Sequence, residues 1–130
     1  MKKGIVNILL IFALVTGISI PSSMQAEAAA PSIKVHFIDV GQGDAIYIKA
    51  PNGEDILKVS TQGSKNATSA TFVNVVKPKY AIISVEKNGY DHPNSQTVRT
   101  LTKAKAKIYQ TNKNKTIVVT GNGSSYKVRK

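Results

Sequence analysis

Tyr80-Ala81-Ile82-Ile83-Ser84-Val85 is the strongest strand signal in the chain. It is a nearly continuous apolar run, of the kind shown by a central strand covered on both faces. Before it, Phe72, Val75 and Val76 fall at i, i+3 and i+4, the spacing of one helix face, with Thr68 or Ser69 as N-cap and Pro78 as the stop. After it, a loop rich in turn residues runs from Glu86 to Pro93. A second helix is then predicted from about Ser95 to Lys105, capped by Asn94 or Ser95 and burying Val98 and Leu101. Lys107-Ile108-Tyr109 follows as another strand. Strands alternating with helices imply a layered α/β arrangement.

Both ends of this unit read as hairpins. Ile33, Val35 and Phe37 alternate with Lys34 and His36, which predicts a strand with Val35 and Phe37 on its buried face and His36 on the opposite one. Gly41-Gln42-Gly43 punctuates it, and Ala45-Ile46-Tyr47-Ile48 begins a partner strand that closes at Pro51-Asn52-Gly53. Ile56-Leu57-Lys58-Val59 is a further short apolar run, leading to a polar loop from Ser60 to Asn66. At the far end, Thr116 to Thr120 and Ser125 to Val128 form two strands about the turn Gly121-Asn122-Gly123.

The chain of 130 residues carries 18 Lys plus Arg against 7 Asp plus Glu, two His and no Cys. One domain is expected at this length. Without cysteine there is no disulfide framework, cysteine zinc site or thiol nucleophile. Met1-Lys2-Lys3, the apolar run Gly4 to Ile20, Pro21-Ser22-Ser23 and Ala26-Glu27-Ala28 together make the three-part pattern of a secretory signal peptide. The expected division is a signal peptide over residues 1–28 and a domain over 29–130, with the mature protein secreted and retaining no membrane span. Cleavage removes Lys2, Lys3 and Glu27, which lowers the net charge of +11 by only one.

The segment Val35-His36-Phe37-Ile38-Asp39-Val40-Gly41-Gln42-Gly43-Asp44-Ala45 resembles the opening strand pair of ComEC-type metallo-β-lactamase-fold proteins. That family includes the hydrolase-like domain of competence DNA-uptake proteins and secreted relatives. Asp55 to Val59, Lys77 to Val85, His92-Pro93 and Ala106 to Tyr109 look like the C-terminal half of the same family. The resemblance implies α/β, a reduced metallo-β-lactamase-like sandwich half with a mixed β-sheet and two helices on one face. It also implies a truncation. Pro51-Asn52-Gly53-Glu54 runs directly into Asp55, so the central block with the family's His-x-His-x-Asp-His metal loop is absent.

Two departures bear on the chemistry the resemblance implies. Thr61 and Gln62 stand where the family has a His-His pair, and His92-Pro93-Asn94 replaces His-Pro-His, putting Asn94 in place of the second histidine. Asp44, Asp55 and His92 are the remnants of the ancestral site. A catalytic zinc takes three protein ligands and a water, and a two-metal hydrolase takes more. The expectation is therefore an inactive relative with no resident cofactor. The rival is a residual metal-dependent hydrolase of phosphodiester or nucleic-acid type that uses Asp44, Asp55 and His92 with zinc or manganese, completed by a partner chain. Gly-x-Ser-x-Gly does not occur, and Gly63-Ser64-Lys65 fails as a phosphate loop because Lys58 stands where its first Gly belongs.

Positive charge is the remaining signal. Lys103 and Lys107, four residues apart, share a face if the second helix reaches that far, and they are the candidate contacts for a polyanion. Nucleic acid or an anionic cell-wall polymer is the expected partner class, and nothing in the tyrosine spacing marks a dedicated stacking reader. Where the family closes this helix with Ala-Gly-Ala-Lys, the chain has Ala104-Lys105-Ala106-Lys107, so Lys105 is expected in a left-handed backbone at a cost of about 1 kcal/mol. Loss of the central block is expected to expose a sheet edge and apolar surface, opening the way to an oligomer.

Overall fold

The central strand β4 (Tyr80–Ile83) lies between two parallel neighbours, β3 (Ile56–Lys58) and β5 (Lys107–Gln110), in a computed structural model that describes residues 31–130. The signal peptide expected over residues 1–28 lies outside the described residues. β2 (Ala45–Lys49) runs antiparallel to β3, and β1 (Lys34–Ile38) antiparallel to β2, giving a mixed five-stranded sheet in the order β1-β2-β3-β4-β5. β6 (Val118–Gly121) and β7 (Tyr126–Arg129) form a separate two-stranded hairpin. The fold class is α/β, with a mixed sheet as expected.

Two helices cover one face of the sheet. α1 (Ala70–Val76) starts where the Ser69 hydroxyl accepts a hydrogen bond from the Phe72 N–H at 3.1 Å, and α2 (Ser95–Lys103) starts where Asn94 Oδ1 accepts from the Gln96 N–H at 3.0 Å. Val73 and Leu101 from these helices meet Leu57, Val59, Ala81, Ile83 and Val85 in the main core. The other face carries a smaller core, in which Tyr126 and Val119 of the hairpin pack on Ala50, Ile56 and Tyr80. A third helix, α3 (Thr111–Asn114), is a single turn that the sequence pattern does not reveal. Thr111 anchors it to the sheet by exchanging hydrogen bonds with the Val85 N–H and C=O, at 2.8 and 2.7 Å.

Three details differ from the sequence reading. On α1 the buried residue is Val73, whereas Val75 is 77% exposed, because the helix lies on the sheet along a Phe72–Val73–Val76 stripe. On α2, Thr97 is buried beside Leu101, and Val98 is only half-buried. The Thr97 hydroxyl donates to the Ser64 carbonyl at 2.8 Å, which satisfies a polar group in that interior position.

The third concerns β1. His36 shares its side of the sheet with Tyr47 and Leu57, the helix-covered side, and its ring lies 5.6 Å from that of Tyr47. Val35 and Phe37 point to the opposite side, beyond the reach of the hairpin, and Phe37 is 80% exposed. Alternation correctly assigns these residues to one face, but at β1 that face has no cover.

α2 ends as the Lys105 substitution predicts. Lys105 has φ +62°, its N–H donates to the Thr102 carbonyl at 2.9 Å, and the Ala106 N–H donates to the Leu101 carbonyl at 3.1 Å. This is a Schellman closure with lysine at the position that glycine favours. The helix stops at Lys103, and Lys107 begins β5. Lys103 and Lys107 therefore do not share a helix face. Lys107 instead lies over the Tyr109 ring, 5.6 Å from its centre.

Candidate functional site

The parallel order of β3, β4 and β5 places their C-terminal ends together, and the antiparallel register Ile46↔Lys58 and Ile38↔Ala45 brings the β1–β2 turn to the same end. Asp44, Thr61, Gln62, His92 and Asn94 all follow or precede strands at that end. Asp55 does not. It precedes β3, about 13 Å of extended chain from Val59 at the other end.

Each of these side chains has a structural neighbour. Asp55 is buried; its carboxylate accepts hydrogen bonds from the Tyr47 hydroxyl and, at 2.8 Å, from the Ala50 N–H. Burial, then the hydrogen bond to Asp55 and the charge of that carboxylate, pushes the Tyr47 hydroxyl up from 10.0 to about 12. Asp44 forms an ion pair with Lys58, whose ammonium also donates to the Asp44 carbonyl at 3.3 Å. Asn94 caps α2 and donates from its amide to Asp91 at 2.8 Å. His92 precedes Pro93 through a cis peptide bond, and its ring lies 6.2 Å from that of Tyr90. Asn88 fixes the loop by donating to the carbonyls of Glu86 and His92 and accepting from the N–H of Tyr90 and His92.

Among the described residues no group of three His, Asp or Glu side chains could hold a metal ion. Asp44, Asp55 and His92 do not fit zinc or manganese as a set, because Asp55 stands at the wrong end of the sheet and is held there by two donors.

The turn after β3 is the least ordinary backbone in the region. Thr61, Gln62 and Gly63 have φ of +43°, +53° and +76°, three successive left-handed residues of which only one is glycine. Each non-glycine costs about 1–2 kcal/mol in that conformation, and such strain gathers at functional sites. Neighbours hold the turn in place. A Cβ at Gly43 would come within 2.4 Å of Thr61 Oγ1 and 2.8 Å of Ser60 Oγ, so only glycine lets the β1–β2 turn close on this hydroxyl pair. A Cβ at Gly63 would meet Pro93 at 2.8 Å and Ile83 at 3.2 Å, while the Gly63 carbonyl accepts from the Asn94 N–H at 2.9 Å.

Beside this turn opens a groove of about 570 Å³. Ser60 and Ala45 form its floor, Ile38, Val40 and Phe72 its apolar wall, and Ser64 with Asn66 to Ser69 much of its rim. Of the positions singled out in the sequence, Thr61 alone lines it. Gln42, Ser60, Ser64 and the Asn66 to Ser69 segment were missed as site residues. The available signal was the polar loop itself, standing between a buried strand and a helix cap.

A stretch of 64 residues, 48% of the chain, is 39% identical to ComE operon protein 3 of Bacillus subtilis (strain 168) and spans 8% of that protein's length. No family model and no solved structure matches the chain.

Proposed function

We propose that this chain is a secreted, ComEC-like protein of metallo-β-lactamase fold that lacks the central metal-binding block, is catalytically silent and acts by binding in a competence-related setting. The observation that carries this reading is the condition of the ancestral site. Asp55 is committed to Tyr47 and Ala50 at the far end of the sheet, and Thr61 and Gln62 occupy the strained turn in place of imidazole ligands. The similarity to ComE operon protein 3 supports the competence-related part. The test is metal content and phosphodiester hydrolysis of the purified protein after dialysis against zinc and manganese. Metal far below one ion per chain and no hydrolysis of bis(p-nitrophenyl) phosphate are expected. One bound ion per chain that disappears in His92→Ala would restore the hydrolase reading.

A specific observation favours polyanion binding as the mode of action. Lys107 lies over the buried Tyr109 ring at 5.6 Å, and Lys79, ion-paired with Glu54, lies over Tyr80 at 5.8 Å. This places the Lys107 ammonium at the β5 edge of a chain with net charge +11. Binding to single-stranded DNA or a wall polyanion is expected to weaken steeply with salt. Lys107→Glu should weaken it further, whereas retention that ignores salt would overturn this mode.

A further inference from the structure

We infer that the groove beside the Thr61 turn is a binding site for a neutral carbohydrate ring. This goes beyond the proposed function and stands independently of it. The chemistry of the lining selects the ligand class. In a chain with 19% charged residues, none of the residues lining the groove has an ionisable side chain. A phosphate, carboxylate or metal ion would find no counter-charge there.

The lining supplies hydroxyls and amides opposite an apolar wall. Ser60, only 2% exposed, and Thr61 share a hydrogen bond of 3.0 Å, and Thr61 Oγ1 donates to the Gln42 carbonyl at 3.3 Å. Ser69 is occupied in capping α1. The Gln42 and Asn66 amides and the Ser64 hydroxyl retain side-chain donors and acceptors for a ligand. Facing them, Ile38, Val40 and Phe72 offer aliphatic and aromatic surface. A pyranose has the matching form, with C–H groups on its faces and hydroxyls around its edge. The volume, about 570 Å³, falls in the ordinary range of ligand pockets and accommodates one or two sugar rings.

A nucleotide fits less well. Its phosphate would lack a cation, and one aromatic ring, Phe72, gives its base a single stacking surface. The strained turn has a positioning role under this assignment: the Thr61 hydroxyl, held against Gly43, ties the turn to Ser60 and to the Gln42 carbonyl and so fixes the Gln42 side of the groove.

The experiment is amide-resolved NMR titration of the purified protein with glucose and N-acetylglucosamine, with glucose 6-phosphate and uridine as comparison probes. Saturable shifts confined to residues around Gln42 and Ser60 to Ser69 are expected, with millimolar dissociation constants that hold steady as salt rises from about 50 to 300 mM. Thr61→Val combined with Asn66→Ala should weaken both neutral sugars by about tenfold or more. The exposed substitution Val75→Ala should leave binding unchanged and serves with circular dichroism as the folding control. Three outcomes would overturn the assignment: no saturation by either sugar in a folded protein, binding of the phosphorylated probe alone with steep salt dependence, or unchanged sugar affinity in the double variant.

Discussion

On the helix-covered face of the sheet, Leu57, Ala81 and Ile83 are all but inaccessible; on the opposite face, at the β1 edge, Phe37 is 80% exposed. Both sets are apolar and both belong to regular strands. They differ in what lies over them. α1 and α2 bring Val73 and Leu101 onto the first set, and the β6–β7 hairpin covers the opposite face only as far as Ile48, Ile56 and Tyr80. Strand alternation decides which residues share a side, and the elements packed above decide whether that side is an interior.

The comparison breaks most readily in the main core. Leu101→Ala removes a fully buried side chain from the contact between α2 and the sheet. A loss of about 2–5 kcal/mol is expected, enough to unfold much of a domain this small. Urea denaturation measures it directly. A loss below 1 kcal/mol would mean that α2 is not firmly docked.

Next in size is the join between β2 and β3. Asp55→Asn keeps the shape but replaces one acceptor oxygen with a donor, facing either the Tyr47 hydroxyl or the Ala50 N–H. About 1–3 kcal/mol should be lost. A pH signature accompanies it. The folded state holds the Tyr47 proton more tightly, with a value raised from 10.0 to about 12. That contribution is complete below pH 10 and disappears as pH rises from 10 to about 12, where the unfolded chain has released the proton and the folded chain has not. In Tyr47→Phe this part of the alkaline decline should vanish, and in Asp55→Asn it should shrink, because burial remains after the carboxylate has gone. Identical alkaline profiles for wild type and Tyr47→Phe would remove Tyr47 from the account.

The order of the elements was legible because each signal is local: alternation for β1, the i, i+3, i+4 spacing for α1, the caps Ser69 and Asn94 for the helix starts. What escaped depends on contacts distant in sequence. The choice of Val73 over Val75 follows from how α1 lies on the sheet, and α3 carries no apolar period because Thr111 and Asn114 anchor it through hydrogen bonds. At the site, positions 61, 62 and 94 could be picked out only through the family resemblance. Neither Thr nor Gln signals a left-handed turn, and it is Gly43, Gly63 and Pro93 that hold it. Lys105 was the exception. Its backbone was legible because the family has glycine at that place, and it gives a prediction of opposite sign. Lys105→Gly should raise stability by up to about 1 kcal/mol, read as a higher urea midpoint.

The smallest change in stability belongs to the exposed strip. Phe37→Ser on β1 removes a large ring from a position with almost no packing to lose, so the folding free energy should move by no more than about 0.5 kcal/mol. The effect should appear in association instead. β1 is an edge strand of the five-stranded sheet, and Val35 and Phe37 lie along one side of it. An unpaired edge beside exposed apolar side chains favours strand-to-strand association. The chain's high positive charge opposes it, so light scattering should show association growing as salt screens that charge. Phe37→Ser should suppress this growth while leaving the urea midpoint in place. Loss of the urea midpoint in Phe37→Ser would mean that β1 has cover after all. Unchanged association would move its source away from this edge, leaving the difference between the two faces a matter of stability alone.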